Sequence, residues 1–478
     1  MADGKELTSA VTFVVYHTGL SHATVFVSAL SRILQEECHN MKILVFLIII
    51  LAYIVFIGIV NEKVFHIQSD IAMIMFSLII SLVLLVIKMF SPTDAIGSFV
   101  EGLGEFGFEE YLMDGMLCFM LFAGAGKVNM GKFRQNLRPI CLLALLTTLI
   151  SSFLYGALFY GIATLLHLPM DIWMCILLGC VVSPTDPIAA TGILNKIGLS
   201  KNVCSVIENE SLFNDGTGVT LFVFVRSIIL GSGNDNFFTL MFKEIAGAVA
   251  VALVVSFLLF KLMELTRDPI RYILISLLDV SLVYMICEHL GFSGVIASVV
   301  CGMYFSYNMD KMERTVKVVD PSEFYKDFWE ILESILNSVL FVMIGLLVLD
   351  LKPCVHMAVI IPASLILVVL SRMFGVSLSA LLTGRKIPGN YNLMEYVTLM
   401  TWSALKGGLS LALALGTAAY LPEEVYGIFM VVTYVTIFYT VLFQGLSVKK
   451  VYFALEKHKA DRLKTLRDKA GITARDSL

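Results

Sequence analysis

The chain contains 478 residues, of which 58% are hydrophobic and only 15% are charged, and its mean hydropathy is +0.86. This composition excludes a water-soluble enzyme. The formal net charge of −4 and the lack of a sustained basic surface outside the C-terminal tail argue against a nucleic-acid partner. The nine cysteines fall mostly in apolar segments, so neither a disulfide framework nor a zinc site is predicted.

Residues 1–40 mix Ser, Thr and His with apolar residues and lack a cationic segment followed by a small-residue cleavage site. They therefore do not resemble a signal peptide. We predict a dispensable N-terminal extension of uncertain role. The alternatives are a weakly hydrophobic or interfacial helix, or a natural start of the protein at Met41.

From residue 41 onward the chain alternates between apolar runs and short polar breaks. Each run is long enough to cross a hydrocarbon layer of roughly 30 Å as a helix. The sequence thus predicts an all-α polytopic membrane protein with about 13 transmembrane helices. The predicted spans are 42–60, 71–90, 111–127, 139–165, 171–195, 203–230, 238–262, 272–290, 291–306, 328–349, 354–383, 393–420 and 424–447.

The loops alternate in charge, and this alternation predicts the orientation because Lys and Arg are retained on the cytoplasmic side. Basic residues occupy every second loop, whereas the loops between them are acidic or uncharged, as at Glu101, Glu105 and residues 423–424. A basic tail of residues 448–478 follows the last span. We expect a multi-pass protein of the cell membrane with a cytoplasmic C-terminus.

Two carboxylates stand out inside the predicted membrane region. Asp186 and Asp215 lie on consecutive spans and about equally far from the turn near Leu199, so a helical hairpin places both near the midplane. An ionisable residue at this depth is costly and indicates a functional site. The alternative of structural polar residues is weak for this pair because Pro184 and Pro187 break the first helix beside Asp186.

The surrounding residues supply oxygen atoms. The prolines around Thr185 free backbone carbonyls that we expect to serve as cation ligands, and Ser211, Asn214 and Asp215 share one helix face through i, i+3 and i, i+4 spacing. Hard cations such as Na⁺ prefer oxygen ligands. Since the carboxylates also bind protons, Na⁺ and H⁺ compete for one site. This predicts an antiporter, with Na⁺ as a transported substrate and no cofactor. Singly, Thr185, Ser211 and Asn214 are equally compatible with structural hydrogen bonding.

Two cations lie in later spans and need compensating negative charge. Arg372 is predicted to hold Glu210, which is itself either a site residue or only a salt-bridge partner. Lys406 precedes Gly407 and Gly408 and either pairs with a carboxylate such as Asp186 or neutralises helix dipoles at a break there. Spans 171–195 and 393–420 both carry a polar interruption in opposite orientation, as in inverted-repeat transporters. The transport core is expected at about 139–230 and 354–447.

At these residues the sequence resembles the monovalent cation/proton antiporters, specifically the NhaP-type sodium/proton exchangers related to the animal exchangers. Thr185-Asp186-Pro187 is similar to the unwound-helix motif of this family, and the segment 210–215 is similar to its Glu-Ser-x-x-Asn-Asp signature. Residues 328–330 and 336–338, Arg372, and residues 406–411 extend the resemblance over about 42–447.

The resemblance implies roles for individual residues. Asp215 would bind the ion directly, with Ser211 and the Thr185 backbone as further ligands and Asp186 acting through water. Glu210 would be held by Arg372. Asn214, where the electrogenic branch has a second Asp, would imply electroneutral exchange.

The resemblance also implies an assembly. The family implies a homodimer and an elevator-like movement of the core against a dimerisation domain formed by the remaining spans. Lys406 departs from the Arg that is usual there and cannot make its bidentate fork, which leaves selectivity or pH response open.

Two other functions fit a pair of membrane aspartates less well. A membrane aspartyl protease would need Tyr-Asp and Gly-x-Gly-Asp motifs, which surround neither Asp186 nor Asp215. A cation channel would favour a ring formed by several subunits. The ligand types do not choose between Na⁺, Li⁺ and K⁺. Asp279, Glu330 and Glu333 are expected to be paired or interfacial.

Overall fold

The computed structural model describes residues 39–90, 115–186, 198–231, 237–313, 321–346, 348, 356–384 and 387–469. The regular elements in these ranges are all helices, apart from one isolated β-bridge. The predicted extension of residues 1–40 lies almost wholly outside the described residues, as do the acidic residues Glu101 and Glu105 and the second half of the predicted span 171–195.

The described residues form helices that we number in chain order. They are α1 His39–Val60, α2 Ser69–Phe90, α3 Leu117–Gly126, α4 Met130–Gln135, α5 Leu137–Leu165, α6 Ile172–Val182, α7 Lys201–Ile229, α8 Phe237–Met263, α9 Pro269–Leu290, α10 Gly294–Glu313, α11 Pro321–Leu346, α12 Met357–Thr383, α13 Leu393–Trp402, α14 Gly408–Leu415, α15 Glu423–Phe438 and α16 Gly445–Lys469. Two stretches with π-helical hydrogen bonding, Leu142–Thr147 within α5 and Tyr439–Gln444 between α15 and α16, keep these helices continuous.

Each predicted apolar span overlaps one or two of these helices in its described part, and the all-helical prediction is confirmed. Among the described residues, eight helices are both long and apolar enough to cross a membrane, and several shorter apolar helices accompany them. The number of thirteen transmembrane helices stays a prediction. The span predicted at 393–420 is two short helices, because α13 ends at Trp402 and α14 begins at Gly408.

Local sequence signals explain where several helices start and end. The Asp171 side chain accepts a hydrogen bond of 2.7 Å from the Met174 amide and caps α6. Asn392 and Glu395 form a reciprocal capping box at the start of α13. Gly291, with φ of 70°, ends α9 in the left-handed conformation that a glycine adopts without strain.

The chain divides into two compact units. The first comprises residues 1–106 and 341–349, and the second comprises 107–340 and 350–478. Within the first unit, the Ser81 hydroxyl donates to the Gly345 carbonyl at 2.6 Å, and a Cβ on Gly345 would lie 2.0 Å from the Cβ of Ser77. Small residues thus allow α2 to pack closely against the end of α11.

In the second unit, α5 and α6 pack at short range through small residues. A Cβ on Gly156 would lie 2.4 Å from the backbone of Ile176, and a Cβ on Gly179 would lie 2.1 Å from the Ser152 carbonyl oxygen. Such contacts are typical of helices that associate in a membrane, where small side chains let the backbones approach. The close approach holds α6 rigidly up to the residue where its helix stops.

Helices α3 and α8 to α11 form a separate apolar cluster in this unit, which contains Phe122, Phe305 and Trp329. The fully buried Asp279 lies among these helices. Its carboxylate accepts a hydrogen bond of 2.8 Å from the Ser256 hydroxyl and another from the Cys301 thiol. The expectation that Asp279 is paired is therefore met by neutral donors.

Helix α16 continues the direction of α15 into the C-terminal tail and is bonded to the start of α13. Arg462 donates to both carboxylate oxygens of Glu395, at 3.2 and 2.9 Å, and His458 contacts the same carboxylate at 2.9 Å. The Glu395 side chain is only 2% exposed. The tail predicted from its basic residues is thus an ordered helix up to Lys469.

Candidate functional site

The end of one helix meets the break between two others in the second unit. Helix α6 ends at Val182, and residues 183–186 continue as irregular backbone, as Pro184 predicts. Residues 403–407 separate α13 from α14. The Asp186 amide donates to the Leu405 carbonyl at 2.8 Å in an isolated antiparallel bridge. The predicted polar interruptions of spans 171–195 and 393–420 therefore lie side by side, and we call residues 183–186 and 403–407 the crossing.

The crossing places opposite charges at opposite helix ends. The Lys406 ammonium donates to the Ser183 carbonyl at 2.7 Å, at the C-terminal end of α6. The Asp186 carboxylate lies against Gly407, just before α14, since a Cβ there would be 2.3 Å from Oδ2. A helix carries partial negative charge at its C-terminus and partial positive charge at its N-terminus. Each of these ionisable side chains thus faces the helix end that would stabilise its charged form.

This arrangement bears on the two alternatives left open for Lys406. The structure places its ammonium at a helix end, as the dipole alternative expects, although the end belongs to α6 and not to the Gly407–Gly408 break itself. The backbone amide of Lys406 donates to the Thr440 hydroxyl at 3.0 Å. Nothing in the sequence pointed to Thr440, which is one of many threonines in apolar helices.

The predicted oxygen-bearing residues of α7 meet the unwound segment. The Asn214 side-chain amide donates to the Thr185 hydroxyl at 2.6 Å and to Glu210 Oε1 at 2.8 Å. The Thr185 amide donates to Asn214 Oδ1 at 3.3 Å. The Ser211 hydroxyl donates to the Thr185 carbonyl. All four residues are buried, so the sequence predicted a cluster that the structure brings together.

The expected partnership between Arg372 and Glu210 is present. The two terminal guanidinium nitrogens donate to the two carboxylate oxygens at 3.0 Å each. Their side chains are 4% and 2% exposed. Because Glu210 also accepts from Asn214, the pair connects α12 to the unwound segment through one chain of hydrogen bonds.

A cavity of about 70 Å³ opens beside this cluster. Both aspartates that the sequence singled out line it, together with the glycines that follow Lys406. No described residue forms a hydrogen bond with the Asp215 carboxylate. We call this space the ion cavity. It is lined by Leu117, Met120, Leu121, Gly124, Pro184, Thr185, Asp186, Leu212, Asp215, Glu333, Leu340, Gly407, Gly408, Leu409 and Ser410.

The ion cavity suits a small cation with a few waters. A volume of roughly 10–15 Å³ by the same measure holds one water molecule, so about 70 Å³ leaves room for an ion that keeps part of its hydration. Among the described residues, no group of three or more His, Cys, Asp or Glu side chains has the geometry of a tight metal site. The donors are carboxylate, hydroxyl and carbonyl oxygens, which weakly bound hard cations prefer.

Some of the expected carbonyl ligands already accept hydrogen bonds from side chains of the protein. The Ser183 carbonyl accepts from Lys406 and the Thr185 carbonyl accepts from Ser211. The sequence analysis expected such carbonyls to face a cation. Glu333, expected only to be paired or interfacial, is paired with Lys127 and also lines the ion cavity.

Comparisons with known proteins agree with this architecture. The sequence profile of the family described as "Sodium/hydrogen exchanger, transmembrane" matches residues 103–454. The Na⁺/H⁺ antiporter NhaP of Pseudomonas aeruginosa is 33% identical over 395 residues, which cover 76% of this chain and 90% of that protein. The low-affinity Na⁺/H⁺ antiporter NhaS1 of Synechocystis is 28% identical over 73% of this chain and 65% of its own length.

A solved structure shares the fold. The sodium proton antiporter MjNhaP1 from Methanocaldococcus jannaschii superimposes with a TM-score of 0.67, covering 87% of this chain and 99% of its own, at 19% sequence identity. At this level of identity the likeness concerns the arrangement of helices. The crossing and the ion cavity therefore belong to a chain with the architecture of a known antiporter.

Proposed function

The chain belongs to the sodium/hydrogen exchanger family, and we propose that its exchange of Na⁺ for H⁺ takes place in the ion cavity, at Asp215 and Asp186. It is a multi-pass membrane transporter of the NhaP type. The observation that supports the location is that both aspartates line one cavity beside the crossing, where the irregular segment after α6 meets the break between α13 and α14. Broken helices beside a cavity are the usual site of substrate binding in inverted-repeat transporters.

Asp215 is the residue that binds the ion directly in this proposal. Its carboxylate lines the cavity and no described residue hydrogen-bonds it, so it is available to a cation or a proton. Thr185 lines the same cavity, and Ser211 precedes Asp215 by one turn of α7. Both would supply further oxygen ligands, the Ser211 hydroxyl turning from its carbonyl partner toward the ion. Asp186 contributes its charge from the other wall, through water.

The remaining residues of the cluster support these ligands. Glu210 has both carboxylate oxygens bonded to Arg372, so we propose that it acts by holding Asn214 and does not bind Na⁺ directly. Asn214 in turn fixes the Thr185 hydroxyl and amide. Lys406 holds the end of α6. Loss of any of these would displace the ligands without removing them.

Competition between the two substrates gives the exchange its coupling. A carboxylate that has bound a proton is neutral and attracts Na⁺ weakly, whereas an ionised carboxylate binds Na⁺. If the cavity changes its exposure only when one of the two is bound, each turnover carries Na⁺ one way and H⁺ the other. We propose electroneutral exchange, because Asn214 takes the place of a second titratable carboxylate and its amide binds no proton.

Other features remain proposals that the sequence supports. The alternation of basic loops favours a cytoplasmic C-terminus and a location in the cell membrane. The family likeness favours a homodimer in which the core, at about 139–230 and 354–447, moves against the remaining helices. Li⁺ and K⁺ are possible alternative substrates because they accept the same oxygen ligands.

Reconstituted protein tests the proposal directly. In proteoliposomes with an imposed pH gradient, addition of Na⁺ should dissipate the gradient at a rate that is independent of a clamped membrane potential. Asp215→Asn should abolish this flux, whereas Glu424→Gln, at an exposed carboxylate in the first turn of α15, should leave it unchanged. Na⁺ flux without protons would indicate a channel or uniporter. A proton flux that Asp215→Asn leaves intact would place the site elsewhere.

A further inference from the structure

A third carboxylate lines the ion cavity. Glu333 lies on α11, outside the segments predicted to form the transport core, and its side chain reaches the same space as Asp186 and Asp215. The residue is only 6% exposed. Gly124 on α3 borders it, since a Cβ there would lie 3.9 Å from Glu333 Oε1 and 3.2 Å from Leu212. Glu333 thus adds a carboxylate from α11 to the lining of the cavity.

Glu333 forms an ion pair with Lys127, in the turn after α3. The Lys127 ammonium lies 2.7 Å from Glu333 Oε2. The two side chains differ sharply in exposure, at 53% for Lys127 and 7% for Glu333. The ion pair therefore joins a buried carboxylate that lines the ion cavity to an exposed cation.

We propose that Glu333 is an outer cation-binding residue at the mouth of the ion cavity, which Lys127 occupies until an alkali cation displaces it. This inference rests on the proposed function, because it assigns the first contact of Na⁺ on its way to Asp215. The inference adds Glu333 to the residues of the proposed function, in which the ion binds at Asp186 and Asp215.

The asymmetry of the pair explains how the displacement works. The Lys127 ammonium itself loses little when it withdraws into water, because its side chain is already 53% exposed. The buried Glu333 carboxylate, in contrast, is strongly destabilised without a nearby positive charge. A Na⁺ ion that arrives as the ammonium leaves keeps the charge at the mouth constant. The ion pair therefore breaks when a cation replaces the ammonium and stays intact when no cation is present.

The consequence is a local enrichment of cations next to the transport site. A narrow, low-dielectric space lined by one sign of charge concentrates ions of the opposite sign. Glu333 therefore affects how much Na⁺ is needed to fill the site, while the turnover of the filled site depends on Asp215 and the crossing. The Na⁺ concentration dependence of antiport distinguishes the two contributions, because Glu333 affects KM and Asp215 affects the maximal rate.

The experiment measures Na⁺-dependent proton flux in proteoliposomes at alkaline pH over a range of Na⁺ concentrations. Glu333→Gln should raise KM for Na⁺ about three- to tenfold, toward the low end of electrostatic focusing effects, with the maximal rate unchanged. Lys127→Gln should lower KM, because Na⁺ no longer competes with the ammonium. The matched controls are Glu330→Gln, an exposed carboxylate one turn earlier on α11, and Lys132→Gln in the neighbouring helix α4. Both should leave KM unchanged.

The outcomes separate this inference from the proposed function. Absence of Na⁺-dependent flux in the unsubstituted protein would refute the proposed function itself. Normal flux with an unchanged KM in Glu333→Gln, or a lost maximal rate at constant KM, would overturn the role of Glu333 alone. If Glu333→Gln fails to fold, Glu333→Asp, which keeps the carboxylate, and Lys127→Gln decide the question. An unchanged KM in Lys127→Gln would then overturn the displacement.

Discussion

The buried pair between Arg372 and Glu210 gives the sharpest prediction for the site's stability. Replacing Arg372 with Met removes the guanidinium and keeps a side chain of similar length. Glu210 then remains as a buried carboxylate without its cation, five residues before Asp215 on α7. We expect Arg372→Met to destabilise the protein strongly and to stop antiport, because Asn214 and Thr185 lose their fixed positions.

The magnitude follows from the contacts. Two hydrogen bonds of 3.0 Å join side chains that are 4% and 2% exposed, and breaking a buried pair from one side costs about 3–5 kcal/mol. Asn214 still donates to Glu210 at 2.8 Å, which favours the lower half of this range. Adding Glu210→Gln removes the unpaired charge, and the double variant should recover at least half of the loss.

Thermal unfolding in detergent, followed for the two single variants and the double variant, measures this coupling. The apparent midpoint should fall by several degrees in each single variant and rise again in the double variant. Antiport should stay low in all three variants. Each variant breaks the ion pair between Arg372 and residue 210, so the side chain that accepts from Asn214 is no longer held in place. Additive losses in the double variant would show that Arg372 and Glu210 act independently and would refute the argument.

Two further variants test the crossing. Gly407→Ala should reduce antiport at least about tenfold, because the added Cβ would lie 2.3 Å from Asp186 Oδ2, a contact that forces the carboxylate or the backbone to move. Gly427→Ala on α15, where a Cβ meets nothing within 4 Å, should leave the rate unchanged, and equal rates in both variants would refute the steric argument. Thr440→Val leaves the buried Lys406 amide without its acceptor and should cost about 1–3 kcal/mol in thermal unfolding. Thr440→Ser should retain stability, and a stable Val variant would contradict this role.

The helical fold was predictable because the bilayer imposes a simple rule on the sequence. Backbone groups within a membrane must be satisfied inside each segment, so a long apolar run indicates a helix almost independently of its neighbours. The ends of the helices were less predictable. The span predicted to end at 306 belongs to a helix that extends to Glu313, because hydropathy reports contact with lipid and not the end of the hydrogen-bonded helix.

The center of the site was also predictable, since charge and proline are rare inside a membrane and each needs a reason. Asp186, Asp215 and the Arg372 pairing all followed from that rarity. Glu333 and Thr440 did not, because their roles depend on which helices face each other across the cavity and the crossing. The packing of helices that are distant in sequence cannot be predicted from local sequence. The sequence around a glutamate near the end of a span is the same whether its side chain contacts water, lipid or an ion.

The bond between the tail and the start of α13 has a mechanical consequence. Helix α16 is continuous with α15 through a π-helical stretch, and Arg462 clamps its far part to the buried Glu395. A displacement of α13 would therefore be transmitted to α16 through the ion pair between Arg462 and Glu395. A fluorescent or spin label on an exposed position of α16 would report such a displacement, with the ion cavity itself left untouched.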